Sequence, residues 1–155
     1  MVFEPPPTAH RKVRWLCDYW RDRRPAPDRL PGRQHIDPAD FPRLLENIWL
    51  LDVVGDPPRF RFRLIGEMPR RFGIPAKVGD FIDQAPGAER PDALRELFVA
   101  VAERRPCWFR GRPTLRHESQ ISELERIILP LARDGARVDM MLCLTLFYGS
   151  TGEEY

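Results

Sequence analysis

At 155 residues the chain is long enough for one domain with a sizeable core, and its 43% apolar and 10% aromatic content is that of a folded protein. A net charge of only +2 argues against a dedicated nucleic-acid binder, which would need one strongly basic face. Among 25 basic residues only Lys12 and Lys77 are lysines, a bias that reads as GC-rich coding rather than as a phosphate site. Cys17, Cys107 and Cys143 are odd in number and far apart, so they suggest neither a disulfide framework nor a zinc pattern. With no apolar signal core and no apolar run of ~20 residues, the expected setting is soluble and cytoplasmic.

Residues 1–7 read as a short, mobile, Pro-rich leader. Thr8 can cap a helix running to about Arg24, where Pro25 and Pro27 stop it. Its apolar stripe is Val13, Leu16, Cys17 and Trp20, widened by Trp15 and Tyr19, and Arg residues occupy the remainder. After a loop over Pro25–Arg33, Asp37-Pro38 starts a short helix that buries Phe41, Leu44 and Leu45. Ile48–Val54 is a strand, Gly55–Pro58 a turn, and Phe60–Ile65 a second strand with Phe60, Phe62 and Leu64 inward.

Gly66–Ala88 is broken by proline and glycine and can hold only short helical turns, near Met68–Phe72 and Phe81–Gln84. Pro91 opens a helix to Arg105 with Leu94, Leu97, Phe98 and Val101 on one face. Cys107–Leu115 is a third strand, weakened by Gly111 and Pro113 and hence bulged or at an edge. Two apolar runs, Leu124–Leu131 and Val138–Phe147, flank Arg133-Asp134-Gly135-Ala136, the pattern of two long strands joined by a tight turn. The last strand is apolar on both faces, so it belongs in the middle of its sheet. Two strands, a helical crossover and a three-strand meander make one α+β domain over residues 8–148, with 149–155 as a tail.

Several stretches resemble a known family. Tyr19-Trp20, Ile36–Pro42 followed by Leu44-Leu45, Phe60–Gly66, and Glu125 with Leu129-Pro130-Leu131 and Asp134-Gly135 are similar to the motifs of a PAS-like family abundant in alphaproteobacteria. The resemblance spans roughly residues 13–147. Glu67 departs from it, standing where that family often has a small polar residue. The resemblance implies a PAS-like five-stranded antiparallel sheet, with a helical crossover on one face and the N-terminal amphipathic helix on the other. It implies a sensory or regulatory signalling module that binds a small ligand, a protein partner or both, without catalytic activity.

Candidate chemistry is sparse. Heme needs an axial ligand, and His10, His35 and His117 all lie outside the crossover, so heme is not expected. Covalent flavin chemistry needs a cysteine on the crossover, and none lies between Cys17 and Cys107; the cofactor is otherwise left open. His117-Glu118 with Glu123 and Glu125 reads as a solvated loop rather than a metal site. Ser119 and Ser122 lack a nucleophile-elbow turn, and no Gly-rich phosphate loop occurs. What remains is a cavity between sheet and crossover, lined by Phe60, Phe62, Leu64, Phe72, Phe81, Leu97, Val101 and Leu142 and suited to an apolar or aromatic metabolite. Val13, Trp15, Leu16, Tyr19 and Trp20 are the candidate surface for a homodimer or a signalling partner. Two rival readings are a small α+β-cone enzyme of isomerase or dehydratase type, using Glu67, Asp80 or Asp83, and a nucleic-acid or membrane-surface binder using the basic first helix.

Overall fold

The computed structural model describes residues 3–72, 76–84, 91–113 and 120–155, with the side chains of residues 91 and 92 left aside. Helix α1 (Arg11–Asp22) is followed by 3-10 turns between residues 33 and 47, then by strands β1 (Ile48–Val54) and β2 (Arg59–Ile65). Helices α2 (Glu67–Phe72) and α3 (Pro91–Glu103) form the crossover, and β3 (Cys107–Gly111), β4 (Glu123–Leu131) and β5 (Met140–Tyr148) complete the chain. All five strands join one antiparallel sheet in the order β2-β1-β5-β4-β3. The doubly apolar β5 therefore lies in the middle and β3 at an edge, as their composition predicts.

Paired residues of an antiparallel sheet share a face, so the register sorts every strand residue. One face carries Trp49, Met141, Cys143, Thr145, Phe147, Arg126 and Phe109; the other carries Ile48, Leu50, Leu142, Leu144, Glu125, Ile127 and Trp108. Arg126 pairs with Glu96 of α3, whereas its neighbour Glu125 accepts from the backbone N–H of His10 at the entry to α1. Hence α3 and α1 cover opposite faces, here called the crossover face and the α1 face.

The helix α1 starts later than expected. Thr8 lies in a turn, and the cap is His10, whose Nδ1 accepts from the N–H of Lys12 at 3.0 Å. Asp37 does cap as anticipated, accepting from the N–H of Ala39, but the helix it opens is reduced to 3-10 turns in which Leu44 is buried and Leu45 exposed. The connection between β4 and β5 is not a tight two-residue turn. Residues 132–139 form it, with the Asp134 carboxylate accepting from the N–H groups of Ala136 and Arg137 and Gly135 at φ +81°. The closing segment after β5 folds back, with Glu154 bridging to Tyr148 and Tyr155 N–H donating to the Phe147 carbonyl.

Strand β2 breaks its own alternation. Leu50 pairs with Leu64 and Leu51 with Phe62, so Arg63 is an extra residue in a bulge. The bulge turns Leu64 to the α1 face, where it is 41% exposed, and brings Ile65 inward. Gly66 follows because nothing larger fits: an added Cβ would lie 2.6–2.8 Å from the carbonyl oxygens of Ile48, Glu46 and Leu45. Residues 79–82 are hydrogen-bonded along the open edge of β2, with Gly79 N–H donating to the Phe62 carbonyl and Ile82 N–H to that of Phe60. The turn expected over Phe81–Gln84 follows, closed by Gln84 N–H donating to the Phe81 carbonyl at 3.0 Å.

The bulge can be tested by substitution. Leu64→Lys should change unfolding free energy by no more than about 0.5 kcal/mol, whereas Phe62→Ala should cost about 3–5 kcal/mol. Urea unfolding measures both, and comparable losses would contradict the register.

Candidate functional site

The eight residues expected to line one cavity are divided by the sheet. Phe60, Phe62 and Leu97 are buried together in the main core on the crossover face, with Val101 packed against that core. Phe72 belongs to a second apolar cluster with Met68, Ile121, Leu124 and Phe147, and its ring lies 5.4 Å from that of Phe147. Leu142 pairs with Leu50 and Leu129 on the α1 face, one residue out of phase with Met141 and Cys143, so it cannot meet Phe62. Leu64 is turned away by the bulge. Phe81 bridges to Arg61 and lies beneath the Arg59 guanidinium, 3.9 Å from its ring centre, again on the α1 side of β2.

Between the two apolar clusters of the crossover face runs a band of buried polar side chains that sequence patterning did not single out. Arg126 and Glu96 form an ion pair with both side chains buried, and the Arg126 guanidinium lies 5.0 Å from the ring centre of Phe109. Next to it, Trp49 Nε1 donates to Thr145 Oγ1 at 2.9 Å, and Asn47 Nδ2 donates to the Thr145 carbonyl at 2.9 Å. Glu96 occupies an α3 position on the sheet side, which shifts the buried stripe to Ala93, Leu97 and Ala100 and leaves Phe98 outside, contrary to expectation. A lone carboxylate in a helix of mixed composition gives no sign of this; its partner Arg126 is thirty residues away.

On the other face, Glu125 is fully buried within β4 rather than solvated. Its carboxylate accepts from His10 N–H, Trp108 Nε1 and the Tyr148 hydroxyl, each at 2.9 Å, with the Arg110 guanidinium at 3.6 Å. Burial first, and then this bond to a carboxylate, pushes the Tyr148 hydroxyl well above its usual range. His117, Glu118 and Ser119, named with Glu125 as candidate chemistry, lie outside the described residues. Ser122 Oγ donates to the Gly149 carbonyl at 2.7 Å.

The residues offered as a partner surface mostly belong to the core. Val13, Leu16 and Trp20 are buried against the sheet, and Tyr19 is held by Asp37 N–H and by Asp40 Oδ2, to which its hydroxyl donates at 2.6 Å. Only Trp15 faces outward, at 45% exposure, stacked on Tyr19 with centroids 5.3 Å apart. It borders an open concavity of about 480 Å3 with Arg11, Phe41, Arg43 and Leu44. Part of the positive charge of α1 and its C-cap is already paired: Lys12 with Glu154, Arg21 with Asp18 and Glu4, and the capping Arg23 with Asp40.

Of the carboxylates proposed for an enzyme, Asp83 is held below its usual range by the hydrogen bond from Arg59, opposite to the raised value a general acid needs. Among the described residues, no group of three or more His, Cys, Asp or Glu could hold a metal ion. Among them too, no helix is long and apolar enough to cross a membrane.

Burial raises Cys17 to about 11 and Cys107 to about 12, and Cys143 well above the ordinary 9.0. All three should be protonated at pH 8, so a disulfide exchange reagent should label none in the native protein and all three after denaturation; rapid native labelling would contradict this burial. Because these folded-state values are raised, stability should hold below pH 9.0 and fall as pH rises toward about 12, a trend that unfolding curves at stepped pH would show.

A family model described as a PAS domain matches residues 8–145. No curated protein and no solved structure matches the chain.

Proposed function

Because the chain belongs to the PAS domain family, a family of sensory and regulatory modules, we propose that it binds a small molecule on the crossover face and signals through protein contacts, one of them with a second copy. The observation that supports ligand binding is the polar band set between two apolar clusters. Phe60, Phe62 and Leu97 lie on one side, Phe72 and Phe147 on the other, and Arg126, Glu96 and Thr145 supply directed hydrogen-bonding groups between them. Pockets for small molecules combine apolar walls with a few fixed polar groups, and this face has both. The favoured ligand is a largely apolar or aromatic metabolite with one polar end that can meet Arg126 or Thr145.

A buried ion pair contributes little net stability compared with an apolar pair of the same shape, because both charges lose their hydration. A pair buried between β4 and α3 therefore fits a role in recognition. Thr145 lies on the central strand and Glu96 on α3, so a ligand reaching this band would touch the sheet and the helix that covers it.

Native mass spectrometry of protein purified without refolding tests the reading. A mass above that of the chain, lost on denaturation, is expected. Phe62→Trp, which adds bulk on the crossover face, should lower occupancy at least about tenfold, while Leu64→Trp on the exposed side should leave it unchanged. A native mass equal to the bare chain or its dimer, together with no thermal shift from any member of an aromatic-metabolite panel, would contradict ligand binding.

A further inference from the structure

Helix α3 carries apolar residues beyond the stripe it buries on the sheet, and these are only partly covered. Ala93, Leu97 and Ala100 are buried toward the sheet. Leu94 and Val99 are half-buried at the rim of the core, Phe98 and Ala102 are exposed, and with Arg95 and Glu103 these residues line an open concavity of about 500 Å3 whose described lining comes from α3. Phe98 is 40% exposed, while its ring meets that of Phe60 edge-on at 5.3 Å. Covering the sheet needs only one apolar stripe, so the apolar surface left open at Phe98, Val99 and Ala102 offers a seat for an occupant.

The order of charges along α3 points to what that occupant is. Arg95 and Glu103 stand four positions to either side of Val99. Neither is in an ion pair among the described residues. If a second α3 lies antiparallel across a twofold axis at Val99, Arg95 of each copy falls beside Glu103 of the other, with Phe98 and Val99 of both at the centre. The same arrangement sets the positive end of one helix dipole by the negative end of the other. The stripe is thus complementary to itself in both charge and apolar content.

We infer that the outer face of α3 is an isologous homodimer interface, occupied by a second copy of this chain in antiparallel orientation. The inference rests on the regulatory reading above and names the surface that would carry it, in place of the buried stripe of α1. It also provides a route between site and interface. Phe98 touches Phe60, and Phe60 lies in the crossover core, so a ligand that displaces Phe60 changes the packing of Phe98 at the dimer contact. A helix of 13 residues is about 20 Å long, so the contact is small and its dissociation constant is expected in the micromolar range, about 1–100 μM.

Sedimentation equilibrium on the full chain from about 1 μM to about 1 mM tests this. The wild type should shift from monomer to dimer mass across the series. Arg95→Glu or Glu103→Arg alone should weaken association at least about tenfold, and the double reversal should recover it to within about threefold. Both positions are exposed, and circular dichroism checks that each variant is folded. A wild type that stays monomeric at the highest concentration overturns both self-association and this interface. A dimer indifferent to either single reversal overturns the α3 interface and leaves self-association to another surface. The ligand is read separately by native mass, so its absence beside an α3-dependent dimer would remove the sensor reading and leave the interface standing.

Discussion

The docking of α1 through the indole of Trp20 is the contact on which the rest of the structure depends. Its Nε1 donates to the carbonyl of Pro130 at 2.8 Å, in a buried setting. Proline lacks a strand donor and is admitted to a sheet only where no neighbour needs one. Pro130 meets that condition because β3 stops pairing at Cys107 and Ile128, before reaching it. The carbonyl at that position then faces no strand, and the α1 indole satisfies it. A buried acceptor left without a donor would cost about 1–3 kcal/mol, so the helix and the proline require one another.

Strand β4 extends the same logic to both layers. Glu125 and Arg126 are neighbours in sequence and point to opposite faces, as strand residues must. Glu125 gathers the entry of α1, the edge strand through Trp108 and the central strand through Tyr148. Arg126 fixes α3 through Glu96, and Cys107 Sγ meets the Glu96 carbonyl at 3.6 Å. Removing one member of such a buried charged set costs about 3–5 kcal/mol, since its partners stay buried and unpaired. Two consecutive charged residues in one strand thereby set the height and angle of both helical layers.

Much of this architecture was legible from composition and spacing. The apolar runs placed β1, β2, β4 and β5, the stripe of α1 placed its buried side, and the two-sided β5 required covers on both faces. The failures at the candidate site share one cause, which is that long-range register is not written in local pattern. The alternation of Phe60, Phe62 and Leu64 contains no sign of the bulge at Arg63. Within β5, alternation puts Leu142 on the face opposite to Met141 and Cys143, but only pairing shows which of those faces meets Phe62. Glu125 read as solvated and Glu96 drew no reading at all, because the residues that neutralise them are distant in sequence. The family motifs acquire meaning in the same way: Trp20 answers Pro130, Tyr19 answers Asp37 and Asp40, and Gly66 makes room for three carbonyl groups of the preceding segment.

If α1 is a structural layer and not a detachable leader, it must open only when the sheet opens. Native-state hydrogen exchange across increasing denaturant measures that directly. The amides of Val13–Trp20 should exchange with the same free energy and denaturant dependence as those of β4 and β5. Exchange of α1 at distinctly lower free energy, with β4 and β5 still protected, would show that the helix merely rests on the sheet and would contradict its place at the centre of this fold.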